Sequence, residues 1–256
     1  MELIPLSTPL ITADHDLFEV IVTALNNAKV ELQDGDILTI ASKVVSVTQG
    51  LLIKKQDVIV SDEAKKYAEI TKLSPEFMEI AIRESDAVLG ACQGALLTQR
   101  DGHFMPNAGA DQSNAPQGSL IILPANPTKN AQEIRQFLQK KYKCRIGVII
   151  GDSRVQPLRR GTSGLALGVA GFVPVIDDRG RKDLFGREMR MTRRAIADNL
   201  MSAAEILSGE VDEKVPFVVV RNAPIILTDE DLTETMSISP EECMYFSTFL
   251  SKKSDE

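Results

Sequence analysis

The chain has no tryptophan, three cysteines and two histidines in 256 residues. Each scarcity excludes something. Two histidines, His15 and His103, cannot build a histidine-rich metal site within one chain. A bound metal would rest on oxygen ligands, which suit magnesium or manganese rather than zinc. Cys92, Cys144 and Cys243 are odd in number and far apart. They match no metal-binding spacing and no disulfide framework, and read as small buried apolar residues. No apolar run approaches the roughly 18 residues of a membrane-spanning helix. The opening MELIPLSTPLI has no basic stretch followed by an apolar core, so no secretory signal is predicted and the cytoplasm is the expected location. Positive charge is not in excess: 29 Lys and Arg stand against 36 Asp and Glu, for a net charge of -7. That argues against a general nucleic-acid or membrane surface while leaving room for a local basic pocket. Neither a GxGxxG following a strand nor a GxxxxGK[ST] phosphate loop occurs.

What is present reads as a mixed α and β chain. Apolar periodicity predicts helices over 17–29, 61–70, 74–85, 131–142 and 192–210. Ser61 and Ser74 stand where N-caps belong, Pro75 follows at a first helical position, and the last helix is expected to stop near Gly209. Extended segments are predicted over 34–46, 119–127, 145–152 and 215–222, with a hairpin turning at Asp101-Gly102. The segment 164–177 is apolar and glycine-studded. Hairpins and helices are interspersed without a β-α-β rhythm, which predicts an α+β fold of mixed and antiparallel sheets with flanking helices. Residues 1–228 are expected to form the functional domain and 229–256 an acidic C-terminal extension.

Polar chemistry gathers in four places. The loop NAGADQSN holds Asn107, Gly109, Asp111, Ser113 and Asn114. Asp111 suits a divalent cation and Asn114 a phosphate or base; an ordinary Asx turn is the plain alternative. In VIIGDSRVQPLRRGTSG, an apolar strand runs into Asp152, Ser153, Arg154, Arg159 and Arg160. An acid beside a hydroxyl suits magnesium, and guanidinium forks suit phosphate or carboxylate oxygens. The block DDRGRKDLFGRE, 177–188, alternates acids and bases and reads equally as surface ion pairs. LSGEVDEKVP, 207–216, carries Glu210 past a helix end. Acids without histidine, with arginines and glycine loops, are what a magnesium–nucleotide site requires.

These segments, with DGDILTIASKVVSVTQG, ALGVAG and VPFVVVRN, resemble in order and spacing the coenzyme F420-0:γ-glutamyl ligase family, over roughly residues 5–222. The resemblance implies GTP- and metal-dependent joining of L-glutamate to the carboxylate of a deazaflavin coenzyme precursor, by an α+β protein of two interlocked parts in an intertwined homodimer. It implies Asp111, Asp152, Ser153 and Glu210 as ligands of Mg2+ or Mn2+, with Ser153 replacing the family's threonine. It implies GTP contacts at Thr8, Pro9, Leu10, Ile11, Ser42, Lys43, Asn114, Ser208, Gly209 and Val211, within a segment reaching Val215. Arg159 and Arg160 are expected to meet phosphate or a substrate carboxylate in catalysis. Three places depart from the family's pattern. Its Asp-Thr-x-Gly-Arg reads Asp152-Ser153-Arg154-Val155-Gln156, its SKxEG reads Ser46-Val47-Thr48-Gln49-Gly50, and the acid after Asp198 is Asn199. The metal-binding acids survive, so a working ligase with an altered acceptor, such as a folate, is the first alternative. A non-catalytic nucleotide-binding relative is the second.

Overall fold

The computed structural model describes residues 1–247. In chain order the elements are β1 (Glu2–Leu6), α1 (Leu17–Asn27), β2 (Ile37–Ala41), α2 (Ser42–Thr48), β3 (Leu52–Lys54), α3 (Asp62–Thr71), α4 (Pro75–Arg83), β4 (Ala87–Cys92), β5 (Ala95–Arg100), β6 (His103–Pro106), β7 (Ser119–Ile121), α5 (Pro127–Tyr142), β8 (Gly147–Val155), β9 (Thr162–Ala170), β10 (Val175–Asp177), β11 (Arg193–Ala195), α6 (Ile196–Ser208) and β12 (Phe217–Arg221).

The fold is α+β, as the interspersed pattern predicts. Its largest sheet has the order β1-β12-β2-β8-β9, with one parallel pair, β2 and β8, among antiparallel neighbours. Apolar residues on both faces of these strands explain why helices cover both. Ile21 and Leu25 of α1, Val45 of α2 and Ile134 and Leu138 of α5 pack with Leu38, Ile40, Val148 and Ile150 on one face. Ala197, Leu200 and Met201 of α6 pack with Ile37, Ile149 and Val220 on the other. A separate core joins α3, α4, β5 and β7 through Ala64, Phe77, Ile80, Leu96 and Leu120.

Local chemistry accounts for many boundaries. Ser61 Oγ accepts from Ala64 N and Ser74 Oγ from Phe77 N, so both expected caps form. α6 ends at Gly209, as expected. Asp101 and Gly102 turn the β5–β6 hairpin with φ of 49° and 77°, the left-handed pair a two-residue hairpin demands.

Other segments differ from expectation. Residues 42–46 are helical, because the extended chain stops at Ala41 and α2 begins at once. α5 starts at Pro127, capped by Asn126. β8 runs on to Val155. β1 was not predicted: it is a short edge strand that carries Pro5, where an edge tolerates proline. Cys92 is exposed, and Cys144 and Cys243 are half-buried, so none is a fully buried core residue. The described part of the C-terminal extension packs back on the body. Asp229 pairs with Arg135 at 2.6 Å, Asp231 with Gln132 at 2.9 Å, and the Phe246 and Phe104 rings lie 5.4 Å apart. Residues 248–256 of that extension lie outside the described residues.

Candidate active site

The pairing of β2 with β8 ends at Ala41 opposite Gly151. One residue on, β2 becomes α2 while β8 continues as a hairpin with β9. Asp152 stands at this fork. Its β2-side neighbour is no longer a strand but the first residue of α2, and Ser42 Oγ donates to Asp152 Oδ2 at 2.6 Å. The Ser153 N–H donates to the other oxygen at 2.8 Å. Asp152 keeps some exposed surface yet has protein around its carboxyl, and burial pushes that carboxyl up; the Ser42 and Ser153 donors offset part of the rise.

Lys43, the next residue of α2, reaches the other way. Its Nζ donates to Asp111 Oδ2 at 2.6 Å and to Ser113 Oγ at 3.0 Å. Asp111 is fixed by a reciprocal backbone pair with Ile121 of β7, at 2.9 and 2.8 Å. The loop before it is held by Thr98 Oγ1, which accepts from Ala108 N, and by Asn107 Oδ1, which accepts from Leu96 N. Burial alone would raise the Asp111 carboxyl, but the Lys43 charge and hydrogen bond, with Ser113, hold it below the usual range.

A cavity of about 260 Å3 opens on one side of this seam. It is bordered by Thr8, Pro9, Leu10 and Ile11, by Ser42 and Lys43, by Asn114, Asp152 and Ser153, and by the loop from Ser208 to Pro216. Backbone and side-chain bonds join these loops: Thr8 N donates to Lys214 O at 2.9 Å, and Asn114 Nδ2 to Val211 O at 2.8 Å. A second cavity, about 300 Å3, opens on the other side and shares Ser42, Lys43, Asp152 and Ser153 as its wall.

α6 brings the last acids. Its close packing needs glycine opposite it: a Cβ on Gly151 would lie 2.5 Å from Met201 Sδ, and one on Gly164 2.5 Å from the Met201 backbone. Met201, Glu205 and Ser208 then line the first cavity at helical spacing. Thr162 Oγ1 donates to Glu210 Oε1 at 3.1 Å. Burial pushes the Glu205 carboxyl up to about 7, and a hydrogen bond shared with Glu210 adds to the rise.

The structure therefore gathers Thr8, Pro9, Leu10, Ile11, Ser42, Lys43, Asn114, Asp152, Ser153, Ser208, Gly209, Glu210 and Val211 around the first cavity, with Asp111 on the second. Arg159 and Arg160 do not join them. They lie exposed on the β8–β9 turn, outside both cavities. Arg154 is drawn instead to Asp198 of α6, at 3.4 Å. Glu205 was not singled out from the sequence, and Ser46 was named only as the first residue of the altered SKxEG segment, with no role. An acid on the Met201–Ser208 stripe of α6 was the available signal for Glu205.

The candidate metal donors are all hard oxygens, a set that fits Mg2+ or Mn2+. Among the described residues no three acids or histidines converge on one point. As the chain stands, the Lys43 ammonium is the counter-charge of Asp111.

Residues 5–222, the segment that builds this fork and both cavities, match the sequence pattern of the F420-0:gamma-glutamyl ligase family. The chain belongs to the F420-0:gamma-glutamyl ligase family. It is similar to proteins named coenzyme F420:L-glutamate ligase. The relative from Methanothermobacter thermautotrophicus is 37% identical over 217 residues, covering 84% of this chain and 86% of its own. That from Methanopyrus kandleri is 40% identical over 192 residues, covering 75% and 76%. That from Methanococcus maripaludis strain S2 is 37% identical over 232 residues, covering 90% and 91%. As a member of this family the chain is an enzyme of the ligase class.

Proposed function

We propose that this protein uses GTP and Mg2+ or Mn2+ to join L-glutamate, through its amine, to the carboxylate of coenzyme F420-0. The observation that carries the reading is the fork. Asp152 and Asp111, 41 residues apart, are tied to the adjacent residues Ser42 and Lys43 where two cavities meet. A carboxylate is a poor electrophile, so one of its oxygens first attacks the γ-phosphorus and GDP leaves. The amine nitrogen then attacks the acyl carbon of that acyl phosphate, phosphate leaves with the acyl C–O electrons, and the nitrogen gives up its proton. No side chain acts as nucleophile.

When bound, the divalent cation neutralises charge on the transferring phosphoryl oxygens. Asp111, Asp152, Ser153 and Glu210 would hold such cations between them, Glu210 from the first cavity and Asp111 from the second. Lys43 supplies a mobile positive charge at the seam, and the 8–11 and 208–215 loops position the nucleotide beside it. A homodimer is part of the reading. The β10–β11 excursion exposes Leu184 and Phe185, at 100% and 83%, while Asp183 accepts from Arg187 and Asp177 from Arg179 to fix its shape. The reading places this work in the cytoplasm on small molecules, and a net charge of -7 argues against a general nucleic-acid or anionic-membrane surface.

The pairing of Arg154 with Asp198 favours testing a second acceptor, since it takes a cation of the altered motif out of the seam. The test incubates the protein with GTP, Mn2+, L-glutamate and either coenzyme F420-0 or a folate. A mass gain of one glutamyl unit on the coenzyme is expected. A gain on the folate alone reassigns the acceptor, and no gain on either refutes ligase action.

A further inference from the structure

The second cavity has walls unlike those of the first. Leu73, Phe77, Met105 and Ile122 stand in its wall beside Asn107, Asp111 and Gln112, and neither the 8–11 loop nor the 208–216 loop borders it. It meets the first cavity only across Ser42, Lys43, Asp152 and Ser153. One wall residue is out of place on structural grounds alone. Ser46 is fully buried, and its hydroxyl has no hydrogen-bond partner among the described residues. A helical hydroxyl has a default partner in the carbonyl a turn earlier, and Thr48 of the same helix takes it, donating to Val44 O at 3.0 Å. Buried hydroxyls are normally paired because leaving one unmade carries the full desolvation penalty. Ser46 is thus a donor kept unspent in a cavity wall, one turn beyond Ser42 and Lys43.

In-line phosphoryl transfer sets where a second reactant must stand. The attacking oxygen approaches phosphorus opposite the leaving oxygen. With the nucleotide in the first cavity, the attacking carboxylate must come from across the seam. We propose that the second cavity binds the carboxylate-bearing end of the acceptor, with the Ser46 hydroxyl donating to it and Lys43 facing its reacting oxygen. Leu73, Phe77, Met105 and Ile122 on that wall would then limit water around the acyl phosphate, whose hydrolysis competes with amide formation. This assignment rests on the ligase reading above and adds a substrate site that the family match does not specify.

Two variants test it, with calorimetric titration of Mn2+-GTP and of coenzyme F420-0 alongside steady-state kinetics. Ser46→Ala removes the donor; its acceptor Kd and KM are expected to rise roughly tenfold, the worth of one hydrogen bond, with GTP affinity within about twofold of wild type. Leu73→Trp fills the cavity from its half-buried rim. It is expected to lose acceptor binding while still binding Mn2+-GTP, and thermal melting shows whether each variant is folded. An unchanged acceptor KM in both folded variants overturns the proposal. So does a parallel loss of GTP affinity, which would make the cavity part of the nucleotide site. Failure of the ligase reading shows separately: wild type that binds Mn2+-GTP and glutamylates no acceptor sinks that reading and this one together.

Discussion

Replacing Lys43 with methionine is expected to move the affinities for cation and nucleotide in opposite directions. In the free chain the ammonium sits 2.6 Å from Asp111 and borders both cavities. On the proposed function, loading the site requires Asp111 to turn to the cation and Lys43 to turn to the phosphates. The side chains of the pair are 27% and 41% exposed, so solvent screens them and the contact is worth about 1 kcal/mol or less. Lys43→Met removes that competition, and Mn2+ alone should bind up to about fivefold more tightly. A phosphate, however, loses a charge-assisted hydrogen bond worth about 1.5–3 kcal/mol, so GTP at saturating Mn2+ should bind about 10–150-fold more weakly. Wild type should show positive coupling between the two ligands, equal whichever is added first, because GTP offers Lys43 a new partner. The coupling should shrink in Lys43→Met and persist in Lys43→Arg. Calorimetric titration of each ligand, with and without the other, measures all of these quantities. A Lys43→Met protein that binds Mn2+ alone more weakly than wild type would refute the competition.

Asp152→Asn should abolish the rise in Tm that Mn2+ with GTP gives the wild-type protein, without lowering the Tm of the free chain, because burial already disfavours that charge. Arg159→Ala, on an exposed turn, should leave the KM for GTP within about twofold in the same preparation. Gly168→Ala would place a Cβ 2.2 Å from Pro127 C and 2.4 Å from Thr128 N, backbone that cannot yield cheaply. It should cost about 2–3 kcal/mol, read as a lower urea midpoint with unchanged slope. Burial holds the His103 imidazole below its usual range, against the pull of Asp101 and Asp198 and with the help of Arg154. The unfolded chain takes up that proton below about pH 6.5 and the folded chain resists it, so stability is full above 6.5 and falls as the pH drops through it. Urea midpoints at pH 7.5 and 5.5 should differ less in His103→Gln than in wild type.

Local signals carried far along this chain where one residue decides the local geometry. Ser61, Ser74 and Gly209 mark helix ends, and Asp101-Gly102 marks a hairpin, because caps and turns depend on single side chains and single φ values. The central sheet was not legible in the same way. β1 pairs with β12 across more than 200 residues, and nothing in Glu2–Leu6 names that partner. Asp111 and Asp152 drew notice by their local settings, a small-residue loop and a strand end, and with Glu210 they matched metal positions through the family resemblance. Glu205 and Ser46 did not, since each becomes a site residue only by virtue of what faces it from another element.

α2 shows why a strand-like sequence had to be misread here. Lys43-Val44-Val45-Ser46-Val47 is rich in β-branched residues, whose preference against helix amounts to a few tenths of a kcal/mol each. Burying Val45, at 0% exposure against α1 and β2, outweighs that preference. Had the strand continued, Ser42 and Lys43 would project from opposite faces of the sheet, and Ser42 and Ser46 from one face more than 13 Å apart along it, by the roughly 3.3 Å rise per residue. As a helix, the segment keeps Ser42, Lys43 and Ser46 within about one turn of each other. One short element thereby meets Asp152, Asp111 and the second cavity together. The conflict between local preference and fold falls on the segment that assembles the site, which is where such conflicts are expected.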